Sequence, residues 1–542
     1  MSKSDGTVHA SLAQGIVDHG ITTLFGLMGD ANLFMVDHYV RACEGRFVPV
    51  AYEGSAVLMA LAYSRFAQTV GIATVTHGPG VTNCMTALAE GARARAPMVL
   101  MAGDTPVANP QNLQNIDQRE LAKAAGVGFE QMRTPETASE DFARAFHRAR
   151  VEERPILFNM PAEMMWAEVE HRRVVHPVFD DPTLAPKGAG MEEAIGIIAS
   201  AKRPVVLAGA GAIGARANVI ALAERLEAPL ATTLKAKGLF NGHANDMGLF
   251  GTLSTDAAYE AIDRADCIVA IGASLHHFTT DRGKLLAGKR VVQVERRVEE
   301  IGRNFHPDAM LVGDAALNAD NIVHWLDEAE IAPSGFMPEL AGADLRAHAP
   351  PRDTPVAEGR VPFIAALTRL EAMLPANRIL TTDGGRFMTE VWCRISAPDA
   401  RSFIATTNFG AIGIGLPYAI GAGFAVENRP VVLFTGDGGF MMGGINEFNT
   451  AVRMKQDLIV IVCNDAAYGA EHIQFLDRDM NPGLSEFEWP SFAAVASALG
   501  GTGVTVASLD DLDEAAEVME ARDGPLLIEL RLDPADVPRM RA

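Results

Sequence analysis

The sequence predicts an α/β protein of three doubly wound parallel-sheet domains, the first and third related to each other and the middle one Rossmann-like. Three observations carry this reading. Short apolar runs alternate with helix-like segments along the whole 542 residues, the rhythm of strands buried on both faces and joined by crossover helices. The series ATVTHGPG, MVLMAGD, RPILFNMP near the start is matched in order and character by VLFTGDGG, IVIVCND, GPLLIELR near the end, a faint internal repeat. Two polar, proline-bearing stretches, VEHRRVVHPVFDDPTLAPKG and EIAPSGFMPELAGADLRAHAPPRDTPVAEGR, separate three units, with expected domains at 1–170, 187–330 and 358–542.

In the first unit, Leu12, Ile16 and Val17 recur at helical spacing between Ser11 and Phe25, before a turn at FGLMGD. A strand-like VPVAYE leads to Glu53, and GSAVLMALAYSR reads as a buried helix. GIATVT, the turn HGPGVTN, the helix CMTALAEGARAR and the strand PMVLMAGD follow, and RPILFNMP closes the unit near Asn159. The middle unit alternates again through RPVVLAGAGAIG, NVIALAERLEA, DCIVAIGAS and RVVQVE; Gly209 and Gly211 form a short GxG without the full dinucleotide fingerprint, which favours a scaffold over an occupied nucleotide site. The last unit starts near Val361. Its strand RILTTDGGRF ends in Asp383-Gly384-Gly385, and TTNFGAIGIGLPYAIGAGFA is glycine-rich and nearly uncharged, suited to packing against a flat ligand.

The stretch from Pro430 to Gln474 is where the chemistry concentrates. The apolar run Val431 to Phe434 breaks at Gly436-Asp437-Gly438-Gly439, a helical segment follows, and a second run, Leu458 to Cys463, ends in Asn464-Asp465. Two neighbouring strands would each present a carboxylate at the carboxyl end, where open α/β sheets bind ligands. Such oxygen clusters suit a hard cation such as Mg²⁺, and Gly438 and Gly439 leave room for a diphosphate beside it. An ordinary loop pair is the plain alternative, since GDG alone is common.

The stretch GDGGFMMGGINEFNTAVRMKQDLIVIVCNDAAYG resembles the thiamine diphosphate (ThDP) motif of the acetolactate synthase, pyruvate decarboxylase and benzoylformate decarboxylase superfamily. The resemblance implies that Asp437, Asp465 and the Ala467 carbonyl hold Mg²⁺, with Asp383, Gly384, Gly385, Gly436, Gly438, Gly439, Tyr468 and Gly469 around the cofactor. From Asp437 to Asp465 is 28 residues (465 − 437), one more than is usual in the family, and the extra residue is expected in a Gly443-Gly444 loop. Glu53 in AYEGSAVLMALAYSR resembles the family's catalytic glutamate, which faces the cofactor's pyrimidine nitrogen. In GAIGIGLP, Ile412 matches the wedge that bends the cofactor, with the Gly410 carbonyl and Ile412 amide towards the ring. In the family the paired domains come from two subunits, so a homodimer or homotetramer with active sites at the dimer interface is implied.

For substrate chemistry, Asp30 and Glu471 fall at acid positions of the pyruvate decarboxylase-like enzymes, but the adjacent histidine pair of those enzymes is missing. The matching region, NLQNIDQREL with Gln114 and Gln118, looks more like the synthases and the benzaldehyde or acyl-coenzyme A lyases. His77 is either a titrating group in their place or a satisfied loop histidine. GVGFEQM, GASLHHFTTD and AEHIQF replace the distinctive acetolactate synthase segments, which argues against acetolactate formation and leaves FAD possible but not favoured. The reading is therefore non-oxidative decarboxylation of a 2-oxo acid, with protonation to an aldehyde or carboligation to a 2-hydroxy ketone. A carbon-carbon lyase acting on acyloins or 2-hydroxyacyl compounds, and a non-catalytic cofactor-binding protein, are the alternatives.

Composition narrows the partners. A net charge of −22 argues against nucleic acid and anionic membrane surfaces. The absence of a long apolar span or of a secretion-signal pattern at MSKSDGTVHASLAQ points to a cytoplasmic enzyme. Five cysteines without CxxC spacing read as reduced thiols, and His276-His277 as a loop pair.

Overall fold

The structure is a computed structural model and describes residues 6–177, 189–350 and 355–538; part of the first connecting stretch, 178–188, lies outside them. Three six-stranded sheets form, and every pairing between their strands is parallel. The first contains β1 (Thr23–Gly26), β2 (Arg46–Pro49), β3 (Gly71–Val75), β4 (Met98–Asp104), β5 (Gly128–Gln131) and β6 (Pro155–Pro161). The second contains β7 (Pro204–Ala208), β8 (Leu230–Thr232), β9 (Asp246–Leu249), β10 (Cys267–Ile271), β11 (Arg290–Glu295) and β12 (Ala309–Val312). The third contains β13 (Ile379–Thr382), β14 (Phe403–Ala405), β15 (Val431–Gly436), β16 (Leu458–Asn464), β17 (Thr502–Val506) and β18 (Leu526–Arg531).

The first sheet is ordered β2-β1-β3-β4-β6-β5 and the third β14-β13-β15-β16-β18-β17. Renumbered from each domain's own first strand, the two orders are identical, so the weak repeat in the sequence is a repeat of topology. The middle sheet runs β12-β11-β10-β7-β8-β9, the strand order of a Rossmann domain. Its central strands are fully buried, as in Cys267–Ile271, because helices cover both faces of a parallel sheet.

Three expectations need correction. The helical reading from Ser11 to Phe25 is split: a helix spans Val8–Asp18 and Thr23–Gly26 is a fully buried strand, since Leu24 and Phe25 follow a turn that resets the period. Likewise Glu53 does not end a strand; β2 stops at Pro49 and Glu53 opens the helix Glu53–Ala67. The second connecting stretch is also more than a linker, because Phe336, Leu340 and Leu345 enter the core of the central domain.

The first and third domains share one hydrophobic core. At its centre the helix Glu53–Ala67 packs on the helix Gly415–Ala425. Small residues allow the approach: a Cβ on Gly421 would stand 2.3 Å from the Met59 carbonyl oxygen, well inside contact distance. Among the described residues no helix is long and apolar enough to cross a membrane. Among the described residues no disulfide joins any of the five cysteines, and His276 and His277 are exposed beside β10.

Candidate functional site

β15 and β16 are neighbours in register, Gly436 opposite Cys463, so their ends deliver Asp437 and Asp465 side by side. Both are buried, at 3% and 7% exposure. Asp437 accepts from the Gly438 amide at 2.8 Å and from the Trp489 indole N–H at 2.9 Å; Asp465 accepts from the Ala467 amide at 3.3 Å. Burial, and next the charge of Asp465, push Asp437 up to about 7. Burial pushes Asp465 up to about 6, against the pull of the Arg386 guanidinium. That guanidinium is itself held by the carbonyls of Pro534, Val537 and Pro538. Ala467 pairs with Glu486 in an isolated antiparallel bridge. Its two hydrogen bonds run from Tyr468 to Ser485 and from Phe487 to Ala466, so neither uses the Ala467 carbonyl.

Asp383, fully buried at the end of β13, organises backbone. It accepts from the amides of Gly384 at 2.8 Å and Gly413 at 2.9 Å and from the Thr435 hydroxyl at 3.2 Å, and burial pushes it up to about 6. It thereby ties its own loop and the Gly413 loop to the end of β15. Ile412 lies over Gly384, whose Cβ position is 3.3 Å from Ile412 Cγ2. Gly410 and Gly413 have φ of +82° and +80°, conformations that glycine adopts without steric cost. A Cβ on Gly438 would fall 2.3 Å from the Tyr468 ring, and one on Gly439 2.9 Å from Asp383 Oδ2. Tyr468 packs edge-on to Phe487 at 4.7 Å, and Phe487 stacks on Trp489 at 4.6 Å, which aims the indole at Asp437.

The segment after Asp437 corrects another expectation. Gly443 and Gly444 are not in a loop: Phe440–Gly444 is a π-helical turn between the helical turn Asp437–Gly439 and the helix Ile445–Arg453. A π turn takes one residue more than an α-helical turn, and this one stands where the added residue is expected from the sequence.

A second group of residues gathers at the carboxyl end of the first sheet. Glu53 is half-buried at the first position of its helix and accepts from Asn83 Nδ2 at 3.0 Å. His77 is buried, its Nδ1 2.9 Å from the Thr76 hydroxyl. Gly29, beside the exposed Asp30, abuts Thr76, and Gly78 (φ +59°) abuts the Gln114 backbone, with Cβ positions at 2.7 and 2.3 Å. Gln118 instead bonds the Gly103 carbonyl at 2.8 Å and Asn159 Oδ1 at 2.6 Å. Glu471 is exposed in the helix Gly469–Leu476 beside the third sheet. The hydrogen bond of Glu53 stays in the first domain and those of Asp437 and Asp465 in the third, so the two groups are held by different domains.

Sequence reasoning missed Trp489 and Arg386, the partners of the two aspartates. Arg386 directly follows Asp383-Gly384-Gly385, and Trp489 is one of four tryptophans; only those signals were available. Among the described residues, no three or more His, Cys, Asp or Glu side chains group around a metal-sized space.

Both groups of residues fall within matches to known families. The N-terminal TPP binding domain of thiamine pyrophosphate enzymes matches residues 6–124, the central domain matches 191–322, and the C-terminal TPP binding domain matches 383–530. The chain belongs to the thiamine pyrophosphate enzyme family. Glu53, His77 and Gln114 lie in the first TPP-binding domain and Asp437 and Asp465 in the second. Among relatives of this family, a probable acetolactate synthase large subunit of Methanocaldococcus jannaschii is 27% identical, over 97% of this chain and 92% of its own. A sulfoacetaldehyde acetyltransferase of Rhodobacter capsulatus is 29% identical over 94% and 91%. A probable 2-ketoarginine decarboxylase of Pseudomonas aeruginosa is 27% identical over 97% and 94%. Three activities at nearly equal identity mean that likeness alone does not choose the reaction.

Proposed function

We propose that this thiamine pyrophosphate enzyme uses ThDP with Mg²⁺ to decarboxylate a 2-oxo acid without oxidation, the product leaving as an aldehyde after protonation or as a 2-hydroxy ketone after carboligation. The observation that carries the proposal is the pair of buried carboxylates, Asp437 and Asp465, at the ends of adjacent strands beside glycines that leave space for a diphosphate. Two carboxylates held close out of water repel each other and favour a bound cation. With the Ala467 carbonyl they make a three-oxygen set that Mg²⁺ would complete with phosphate oxygens and water.

When bound, ThDP supplies an electron sink for the carbon next to the carboxylate that leaves. The chain's part is to bind, bend and move protons. Ile412 would support the cofactor from below, and the Gly410 carbonyl and Ile412 amide would hold its pyrimidine edge. Asp383, Gly384, Gly385, Gly436, Gly438, Gly439, Tyr468 and Gly469 shape the diphosphate side. Glu53 would face the pyrimidine nitrogen of the bound cofactor, where a carboxyl group can hold or release a proton. Because Glu53 and Asp437 belong to separate half-sites of one chain, the complete site forms between two copies, in a homodimer or homotetramer. Asp30, Glu471, His77 and Gln114 would then line the substrate side and hold or release its proton, and an interface between two copies would keep water out.

Contact between the loop carrying His77 and Gly78 and the Gln114 backbone favours a second reading, a carbon-carbon lyase on acyloins or 2-hydroxyacyl compounds. In the central domain, Cβ positions at Gly209 and Gly211 would fall 2.0 and 2.9 Å from Gly272, which supports a scaffold role rather than bound FAD. The discriminating assay supplies ThDP and Mg²⁺ and follows CO₂ and aldehyde release from a panel of 2-oxo acids beside cleavage of acyloins. Release from a 2-oxo acid is expected; turnover of acyloins alone would replace the first reading with the second. A thermal midpoint unmoved by saturating ThDP and Mg²⁺ would remove cofactor use altogether.

A further inference from the structure

Two buried glutamates, outside the residues assigned above, tie the two half-sites to each other within one chain. Glu447, on the helix Ile445–Arg453 of the third domain, is 0% exposed. Its Oε1 accepts from the amides of Ala51 and Tyr52, both at 3.1 Å. Those amides immediately precede Glu53, at the start of a helix whose own N-cap, Tyr52, makes no side-chain cap hydrogen bond. A helix start leaves amide donors without partners, and the third domain supplies the acceptor.

Glu90 does the same in reverse. It lies on the helix Met85–Ala94 of the first domain and is also 0% exposed. It accepts from Asn408 Nδ2 at 2.7 Å and the Asn408 amide at 3.3 Å through Oε1, and from the Phe409 amide at 2.6 Å through Oε2. Asn408 and Phe409 immediately precede Gly410 and Ile412.

The correspondence is topological. Glu90 follows β3 and Glu447 follows β15, each the third strand of its domain. The gripped loops follow β2 and β14, each the second strand, and lead into Glu53–Ala67 and Gly415–Ala425, the two helices packed at the centre of the shared core. A buried carboxylate is retained at such a place only if its hydrogen bonds repay its desolvation; here they go to the segments on which the proposed catalysis depends.

We propose that Glu447 and Glu90 are reciprocal positioning residues: Glu447 sets the placement of Glu53, and Glu90 sets that of Gly410 and Ile412. This rests on the function proposed above. Since Glu53 and Ile412 of one chain serve different sites of a dimer, each tie joins one site to the other.

The hydrogen bonds also predict unequal rescue by glutamine. Both backbone bonds of Glu447 use Oε1, and its other partners, Ser55 and Thr450, carry hydroxyls that can accept as well as donate, so Glu447→Gln keeps the backbone bonds through its amide oxygen. Glu90 uses both oxygens, so Glu90→Gln opposes an N–H₂ to a backbone or side-chain donor and loses part of the grip. In the assay with saturating ThDP and Mg²⁺, Glu447→Ala and Glu90→Ala are expected to lower kcat about 10–100-fold, the scale of small misplacements of reacting groups. Glu447→Gln should return to within about threefold of the parent and Glu90→Gln should not.

An independent readout needs no turnover. In the cofactor-free full-length protein, amide hydrogen exchange should quicken at residues 51–55 in Glu447→Ala and at 408–413 in Glu90→Ala, with little change elsewhere. If an alanine variant does not fold, the glutamine pair carries the same test. Parental kcat in folded alanine variants, equal behaviour of the two glutamine variants, or exchange that quickens throughout the core would overturn the proposal. Failure of the function itself is separately visible: Glu53→Gln would then turn over at the parental rate.

Discussion

Replacing Asp437 by asparagine removes one charge from the buried pair while keeping the side chain's shape, and its effect on the cofactor-free protein can be worked from the geometry. Asp437 lies at about 7 instead of 3.8 because of burial first and Asp465 second. At about 1.4 kcal/mol per pH unit, that displacement corresponds to an upper limit of about 4 kcal/mol. The sign follows from proton counting. Between about pH 4 and 7 the unfolded chain has released this proton and the folded chain retains it, so stability is highest below about pH 4, falls as pH rises, and the loss is complete above about 7. Asparagine does not titrate and escapes that loss. Against this, its amide can accept from Gly438 but opposes N–H₂ to the Trp489 indole N–H, at a cost of about 1–3 kcal/mol. The balance favours Asp437→Asn by about 1–3 kcal/mol at pH 8 and disfavours it by a similar amount near pH 4, where the parent has lost almost nothing. The third domain alone would then shift by about 2–4 °C per kcal/mol. Thermal midpoints of the two cofactor-free proteins, measured at one scan rate from pH 4 to 8, should therefore cross. Added ThDP and Mg²⁺ should stabilise the parent and not the variant. Midpoints that stay parallel, or a variant that loses stability relative to the parent as pH rises, would refute the reasoning about the paired carboxylates.

Three further outcomes are expected. Glu53→Gln should lower kcat at least about 100-fold, as loss of a general acid-base group does, while thermal stabilisation by ThDP and Mg²⁺ is retained. Gly438→Ala places a methyl 2.3 Å from the Tyr468 ring; displacing that ring disturbs the stack that aims Trp489, and calorimetric titration with ThDP in Mg²⁺ should show affinity reduced at least about tenfold, or about 1.4 kcal/mol. Gly421→Ala drives a methyl against the Met59 carbonyl at 2.3 Å and should destabilise the shared core by about 1–3 kcal/mol, seen as a lower thermal midpoint without cofactor.

The sequence by itself determined what local patterns encode: three units of alternating strands and helices, the repeat between the outer two, and the Gly-Asp-Gly-Gly and Asn-Asp strand ends that deliver Asp437 and Asp465 together. These were legible because buried parallel strands are short apolar runs and because residues ending adjacent strands must be neighbours. A boundary such as Asp18 to Thr23 was not legible, since apolar residues of a helix and of the next strand merge into one pattern. The π turn was visible only as a residue too many. What the tertiary structure alone decided is the long-range holding of the site: Trp489 and Asp383 on its carboxylates and loops, Glu447 on residues 395 and 396 positions away, Glu90 on residues 318 and 319 away. A glutamate on an amphipathic helix looks the same in sequence whether it meets water or a distant backbone amide. Only the packing of two related domains around the Glu53–Ala67 and Gly415–Ala425 helices decides which it is.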